Sequence, residues 1–230
     1  MSNAVQKVER IRGPELAILV KRSEGVPLVE GLKMADEKNL VVASTARLSK
    51  ALVGSDEWRK ISNVFACWTG TMTAYTKPGE KLGEVIEYVD PETKQKWVFR
   101  VPREFQKEKN AILVVEHPDY KVEVDGRTLV VHAKAVDLVA DFPAKTERWY
   151  AADAKHDIPT GKEVAYSQDA RYLWRTDSRV GPVARGGFNF DGRYFRQLVG
   201  LDDRPSQGFG VAVEAPKGAR RSRQVPLNSR

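Results

Sequence analysis

Residues 183–211 read VARGGFNFDGRYFRQLVGLDDRPSQGFGV. The stretch sets Phe188, Phe190, Tyr194 and Phe195 among Gly186, Gly187, Gly192, Gly200, Gly208 and Gly210. Its apolar positions keep neither the two-residue period of a half-buried strand nor the 3.6-residue period of a helix. A core segment so rich in aromatics normally keeps a period. The stretch is therefore expected to be a long loop region leading into a final strand at 211–214. A long connection without regular structure is usually functional or disordered, and the aromatics argue against disorder. Aromatics mixed with Asn and Asp are also what an adaptable binding surface uses, because they combine contact area with hydrogen bonding at low entropy cost. The alternative, in which the same residues are core plus turns, stays open.

Working outward, residues 140–185 are irregular around Pro143, Pro159, Gly161, Gly181 and Pro182, with one expected strand over 171–175. Further upstream, 122–124 and 128–132 flank Asp125-Gly126, which predicts a hairpin with a type I′ turn. The apolar run 111–116 predicts a buried strand. Residues 85–89 and 97–101 flank Asp90-Pro91-Glu92-Thr93 and predict another hairpin. Leu28, Val29, Leu32 and Ala35 recur at helical spacing with Asn39 as the stop, and 44–52 reads as a second helix closed by Gly54. Residues 40–43 fit a strand or a helix start. Pro14 stands at a helix N1-like position before the apolar 16–20, which predicts a helical turn over 15–22. Residues 1–12 read as a frayed start. The fold class expected is α+β, with two N-terminal helices on a small antiparallel sheet and a long loop region before the last strand. Residues 1–215 form one domain with its binding region at about 185–210, and 216–230 form a disordered basic tail.

The totals narrow the function. Hydrophobic residues make up 41% and charged residues 30%, a globular balance. No apolar run reaches the length that crosses a bilayer, and the polar N-terminus carries no secretory signal, so a soluble protein made in a reducing cytoplasm is expected. Cys67 is the only cysteine, which excludes an intramolecular disulfide and a cysteine-cluster zinc site. The net charge is +7, and Lys217, Arg220, Arg221, Arg223 and Arg230 carry five of those charges, leaving +2 for the rest. The body thus lacks the footprint of a phosphate-binding domain. Nucleic acid is expected to be a weak partner, held through the tail alone.

The motif Arg185-Gly186-Gly187-Phe188-Asn189, followed by Arg196, Arg204-Pro205 and Gly208-Phe209-Gly210-Val211, resembles the C-terminal signature of the C-type-lectin-like fold of the formylglycine-generating-enzyme type. Arg185, Gly186, Gly187, Gly208 and Phe209 match that signature. Phe188 and Asn189 stand where the family has Ser-Trp, and Gly210 where it has Arg. The likeness covers roughly the last fifth of the chain. The enzyme branch binds copper through a pair of cysteines, and this chain has one. The calcium-dependent sugar-binding branch uses Glu-Pro-Asn or Gln-Pro-Asp with Trp-Asn-Asp, and none of these triplets is present. The branch most similar is that of the variable proteins of diversity-generating retroelements, whose C-terminal region is mutagenised at template adenines. Phe188, Asn189, Phe190, Asp191, Arg193, Tyr194, Leu198, Leu201, Asp202 and Asp203 all belong to the residue types that adenine mutagenesis yields. The resemblance implies a non-enzymatic ligand-binding protein of a virus or prokaryote, with those ten residues as the binding surface. It implies a protein or cell-surface ligand, no metal and no cofactor. A divergent enzyme of the formylglycine-generating type and a nucleic-acid-associated protein are the alternatives.

Other candidates are weaker. Asp153, His156 and Asp157 lie close in sequence and could do acid–base chemistry, but a solvated turn fits them better. His117 and His132 read as structural, and Cys67 as a small buried hydrophobe. Residues 181–192 lack the Lys-Ser/Thr and the strand–helix context of a phosphate-binding loop.

Overall fold

The computed structural model describes residues 16–19, 28–52, 66–77, 79–89, 94–140, 148–167, 169–173, 183–191, 194–200 and 209–214. In chain order the elements are β1 (Leu16–Leu19), α1 (Leu28–Glu37), β2 (Val41–Val42), α2 (Thr45–Leu52), β3 (Ala66–Ala74), β4 (Val85–Val89) and β5 (Lys96–Arg100). A 3₁₀ turn (Arg103–Phe105) precedes β6 (Ala111–Glu116), β7 (Tyr120–Asp125), β8 (Thr128–Ala133) and β9 (Asp137–Ala140). The last six are β10 (Arg148–Ala152), β11 (Pro159–Glu163), β12 (Ala170–Leu173), β13 (Val183–Asp191), β14 (Tyr194–Gly200) and β15 (Phe209–Glu214). The class is α+β, mostly antiparallel sheet, with two short helices among the described residues.

Two sheets organise these elements. An eleven-stranded sheet runs β1-β15-β3-β13-β14-β12-β10-β11, with β2 on β15 and the pair β6-β9 on β3. A four-stranded sheet runs β4-β5-β8-β7. The main core lies between them. Ile86, Tyr88, Trp97, Phe99, Leu129 and Val131 of the small sheet pack with Trp68, Met72, Leu113 and Val115 of the large one, and Leu28, Leu32 and Ala35 of α1 join them. A second cluster, Ile112, Val114, Val139 and Ile158, covers the other face of β6. Strand β3 divides its side chains accordingly. Trp68 and Met72 enter the main core, whereas Thr69 and Thr71 meet Thr45 at the start of α2.

Both helices end as their local chemistry dictates. Asn39 takes φ +51° after α1. Leu40 N donates to Ala35 O and Asn39 N to Asp36 O, which together satisfy the last carbonyls. Ser44 caps α2 by accepting from Arg47 N. Gly70 has no room for a side chain, because a Cβ there would lie 2.3 Å from Val42 O. Its N donates to Ala43 O, and this seats β2 and α2 on β3.

Several expectations need correction. Residues 16–19 form a strand, not a helical turn, because they pair antiparallel with β15 from Leu16↔Glu214 to Leu19↔Val211. The hairpin after β7 turns on Gly126-Arg127, with Asp125 still paired to Thr128 and Gly126 at φ +57°. Of the two central residues Gly126 has a positive φ and Arg127 does not, which suits type II′, and the Asp125–Thr128 pairing sets the turn one residue later than the Asp-Gly pair predicts. The antiparallel sheet is not small, since eleven strands share it. Most important, 183–191 and 194–200 are not loop but the antiparallel strands β13 and β14, the first of which lies between β3 and β14 inside the sheet. Its strand identity comes from pairing with β3 and β14, and a strand held by partners on both sides need not announce itself by a local period. Residues 140–185 likewise contain β10 and β11 besides the expected strand, of which 170–173 is described. The expectations for 1–12, for 90–93, for the closing Gly54 and for the tail at 216–230 lie outside the described residues.

Candidate functional site

The hairpin gathers most of the candidate residues at one end of the sheet. Its register pairs Phe188↔Gln197, Asn189↔Arg196, Phe190↔Phe195 and Asp191↔Tyr194, with Leu198 opposite Gly187. Residues two apart in β13 thus meet their β14 partners across one tip. On one flank β3 follows β13 as far as Phe188↔Cys67. On the other flank β12 meets β14 at Arg196 and Gln197. Among the described residues, Phe190, Asp191, Tyr194 and Phe195 therefore extend past the pairing of both neighbours. Arg193, Leu201, Asp202 and Asp203 lie outside the described residues, as do Arg204, Pro205 and Gly208. Of the resemblance motif, Arg185 pairs with Met72 and Gly200, and Gly210 with Cys67.

Strand alternation divides the candidates into two sets. The row through Asn189 continues across Arg196, Tyr172 and Trp149. The adjacent row runs through Phe188, Gln197, Leu173 and Arg148. Asp191, Tyr194 and Leu198 share the parity of the first row, and Phe190 that of the second. Burial is mixed at both parities: at the second, Tyr150 and Arg171 are buried but Arg148 is exposed, and at the first, Ala170 is buried, as is Trp68 opposite Gly187. The first row also carries an aromatic cluster. Trp149 lies 4.8 Å from Tyr166 and 5.0 Å from Tyr172 between ring centroids. Trp149 and Tyr172 are half-buried and Tyr166 is exposed. None of these three is a candidate binding residue from the sequence alone, where β11 and its flanking segments separate them. The signal that could have found them is the shared parity of 149 with 172, legible only once the strands are paired.

Beneath the opposite face lies a buried polar network. Arg171 Nε donates to Asp157 Oδ2 at 3.0 Å, and its Nη2 lies 2.7 Å from Oδ1. Ser49 Oγ of α2 donates to the same Oδ2. Asp157 takes φ +57° to present its carboxylate there. This bidentate pair ties α2 to β12, and so braces the strand on which β14 rests. Next to it, Asp153 Oδ2 accepts from the backbone N of Lys155 and of His156. His156 Nδ1 lies 2.9 Å from Glu116 Oε1. Its Nε2 is buried 3.2 Å from Asp137 Oδ2, outside hydrogen-bond geometry. Lys155 Nζ donates to Asp137 at 2.6 Å, and that bond holds its ammonium above the usual lysine range. The turn expected at 153–157 is present, but it is not solvated at His156, which is buried at 2% exposure. Carboxylates on β6 and β9 draw the imidazole inward, and sequence spacing could not reveal partners 40 and about 20 residues away. His156 does not face Ser49, so the group forms braces and no nucleophile–base pair.

The remaining histidines are placed by packing. His117 Nδ1 accepts from Val42 N at 3.1 Å, its Nε2 lies 3.4 Å from Asp36 Oδ1, and its ring meets Tyr120 edge-on. Burial pushes its pKa below the ordinary value, against the opposing pull of Asp36 and Asp119. His132 is exposed beside Glu123 at 3.0 Å. Cys67 stands in β3 between Phe188 and Gly210 in register. Among the described residues no group of three or more His, Cys, Asp and Glu is arranged to hold a metal ion. No helix among them is long and apolar enough to cross a membrane. No family model, curated protein or solved structure matches the chain.

Proposed function

We propose that this chain is a ligand-binding protein, not an enzyme, that presents a diversified surface at the β13–β14 hairpin end. The scaffold is of the C-type-lectin-like kind and the function that of a retroelement variable protein. The ligand is a protein or a cell-surface structure. The observation that supports this reading is the register: candidate positions separated in sequence converge on a hairpin end that, among the described residues, outruns both flanking strands. A tip of that sort can change composition without disturbing the pairing of β3 or β12. Within 188–203, the contact role falls on Asn189, Asp191, Tyr194 and Leu198, with Arg193, Leu201, Asp202 and Asp203. Phe188 and Phe190 stand at the parity of buried Tyr150 and Arg171 and border the surface.

The test is a library. Asn189, Asp191, Tyr194 and Leu198 are diversified over the residue types that adenine mutagenesis yields, and folded members are counted by protease resistance. Most members are expected to fold, because surface substitutions usually shift stability by within about 0.5 kcal/mol. A library in which folded members are rare would sink the proposal. A matching genomic sign is a near-copy of the segment coding for 186–210 beside a reverse-transcriptase gene, differing only where the copy has adenine.

A further inference from the structure

His156 is buried between two carboxylates that come from different strands. Its Nδ1 lies 2.9 Å from Glu116 Oε1 of β6, and its Nε2 lies 3.2 Å from Asp137 Oδ2 of β9. A neutral imidazole has one N–H and one lone pair, whereas the imidazolium has two N–H groups and no lone pair. Either neutral tautomer therefore turns a lone pair toward a carboxylate oxygen. Only the doubly protonated ring has a donor for each. Nε2 is buried without a hydrogen-bond partner, and the Asp137 side chain, 48% exposed, has room to turn onto it. The other charged groups about the ring lie on its own turn and behind it. Asp153 accepts from the His156 backbone N, Lys155 Nζ shares Asp137 Oδ2, and Asp157 is paired with Arg171 of β12.

We propose that His156 is a proton-operated clasp: uptake of a second ring proton fastens the 153–157 turn to β6 and β9, and its loss loosens that turn. The turn is tied into one piece. Asp153 N donates to Ile158 O, Asp157 N donates to Asp153 O, and Asp153 Oδ2 accepts from the backbone N of Lys155 and of His156. It also carries Asp157, whose carboxylate accepts from Arg171 of β12 and from Ser49 of α2. The proton on His156 thus bears on the brace behind β12, the strand that β14 adjoins. Burial and the Lys155 ammonium oppose the added charge. Two charge-assisted bonds, one to each carboxylate, outweigh them. The docked turn offers the ring two anions and the loosened turn offers it water, so the docked turn binds the proton more tightly. Acid fastens the clasp and rising pH releases it. This is opposite in sign to His117, whose neutral ring is the one the fold keeps. The inference does not depend on the binding role proposed for 188–203.

The full chain is followed from about pH 5 to pH 8, the range in which histidine commonly changes charge. Long-range proton–nitrogen spectra of the rings distinguish the imidazolium from each neutral tautomer. Amide exchange at Asp153, Lys155, His156 and Asp157, corrected for the intrinsic rate, reads the turn. The His156 ring is expected to pass from imidazolium to neutral as pH rises, and protection of the turn to fall about tenfold with it. His156→Gln, which keeps a donor but does not titrate, should hold that protection constant. Should His156→Gln fail to fold, Asp137→Asn decides, because it removes the anion at Nε2 and should move the ring transition to lower pH. A ring that keeps one charge state throughout overturns the switch. So does a fall in protection that survives in His156→Gln, or a ring transition that Asp137→Asn leaves unmoved.

Discussion

The four-stranded sheet and the β13–β14 wing are both β-structure, but they are encoded in opposite ways. In the small sheet one face meets the core and the other meets solvent. Ile86 and Tyr88 are buried between exposed Val85, Glu87 and Val89, and Trp97 and Phe99 are buried beside half-buried Val98. Such strands carry their pattern in every second residue. In the wing, β13 has a strand on each side and joins a sheet whose β3 is buried on both faces. Its place is fixed by those partners, and its own residues leave no period to read. The lesson is that a missing period marks either a loop or a well-surrounded strand, and composition alone does not separate them.

The contrast breaks most sharply in the small sheet. Trp97→Ala removes a fully buried ring from the main core and is expected to cost about 3–5 kcal/mol, read by chemical denaturation. A loss under about 1 kcal/mol would mean that the two sheets do not share a core. Next comes the brace behind the wing. Arg171→Leu leaves Asp157 as an uncompensated, largely buried charge and is expected to cost about 3 kcal/mol or more. Adding Asp157→Asn should recover part of that loss, and no recovery would show that the pair is not what holds α2 to β12.

The wing itself gives the finer comparison. Phe188→Ser with Phe190→Ser, at the parity of buried Tyr150 and Arg171, is expected to lower stability by more than about 1 kcal/mol. Asn189→Ser, Asp191→Ser and Tyr194→Ser together should change it by less than about 1 kcal/mol. Equal losses in the two sets would erase the division by strand parity.

A smaller effect is expected from acid. Burial holds the His117 pKa below its ordinary 6.5, so the fold favours the neutral ring that accepts from Val42 N. The unfolded chain then binds protons first as pH falls. The His117 contribution is complete above about pH 6.5 and is lost as pH drops through that value toward the folded pKa. Melts from pH 8 to pH 5 should show the decline, and His117→Asn, which retains an acceptor near Nδ1, should flatten it. An unchanged slope in that variant would assign the decline to other groups. The smallest effect concerns the tail. Deleting 217–230 should abolish weak, sequence-independent nucleic-acid binding and leave the melting temperature unmoved. A truncated chain that still binds nucleic acid at physiological salt would move that role to the arginines of the wing.

Much of the local architecture was legible in the residues themselves. The stop of α1 at Asn39, the start of α2 at Ser44 and the strands around 85–101 and 120–133 all follow from chemistry within a few residues of each site. Caps, turn-forming glycine and alternation act locally, so sequence order exposes them. The strand identity of 16–19 and 183–200 was decided elsewhere. Leu16–Leu19 is held by β15 at the far end of the chain, and β13 by β3, more than a hundred residues upstream. A short apolar or glycine-rich run has nearly the same local preference for strand, helix or loop, so its partners tip the balance. The same holds for the candidate site. Composition singled out Asn189, Asp191 and Tyr194, but only strand pairing set them in line with Trp149 and Tyr172. Burial of His156 likewise depended on carboxylates brought in by β6 and β9, because the cost of burying a polar ring is met by partners that sequence proximity does not supply.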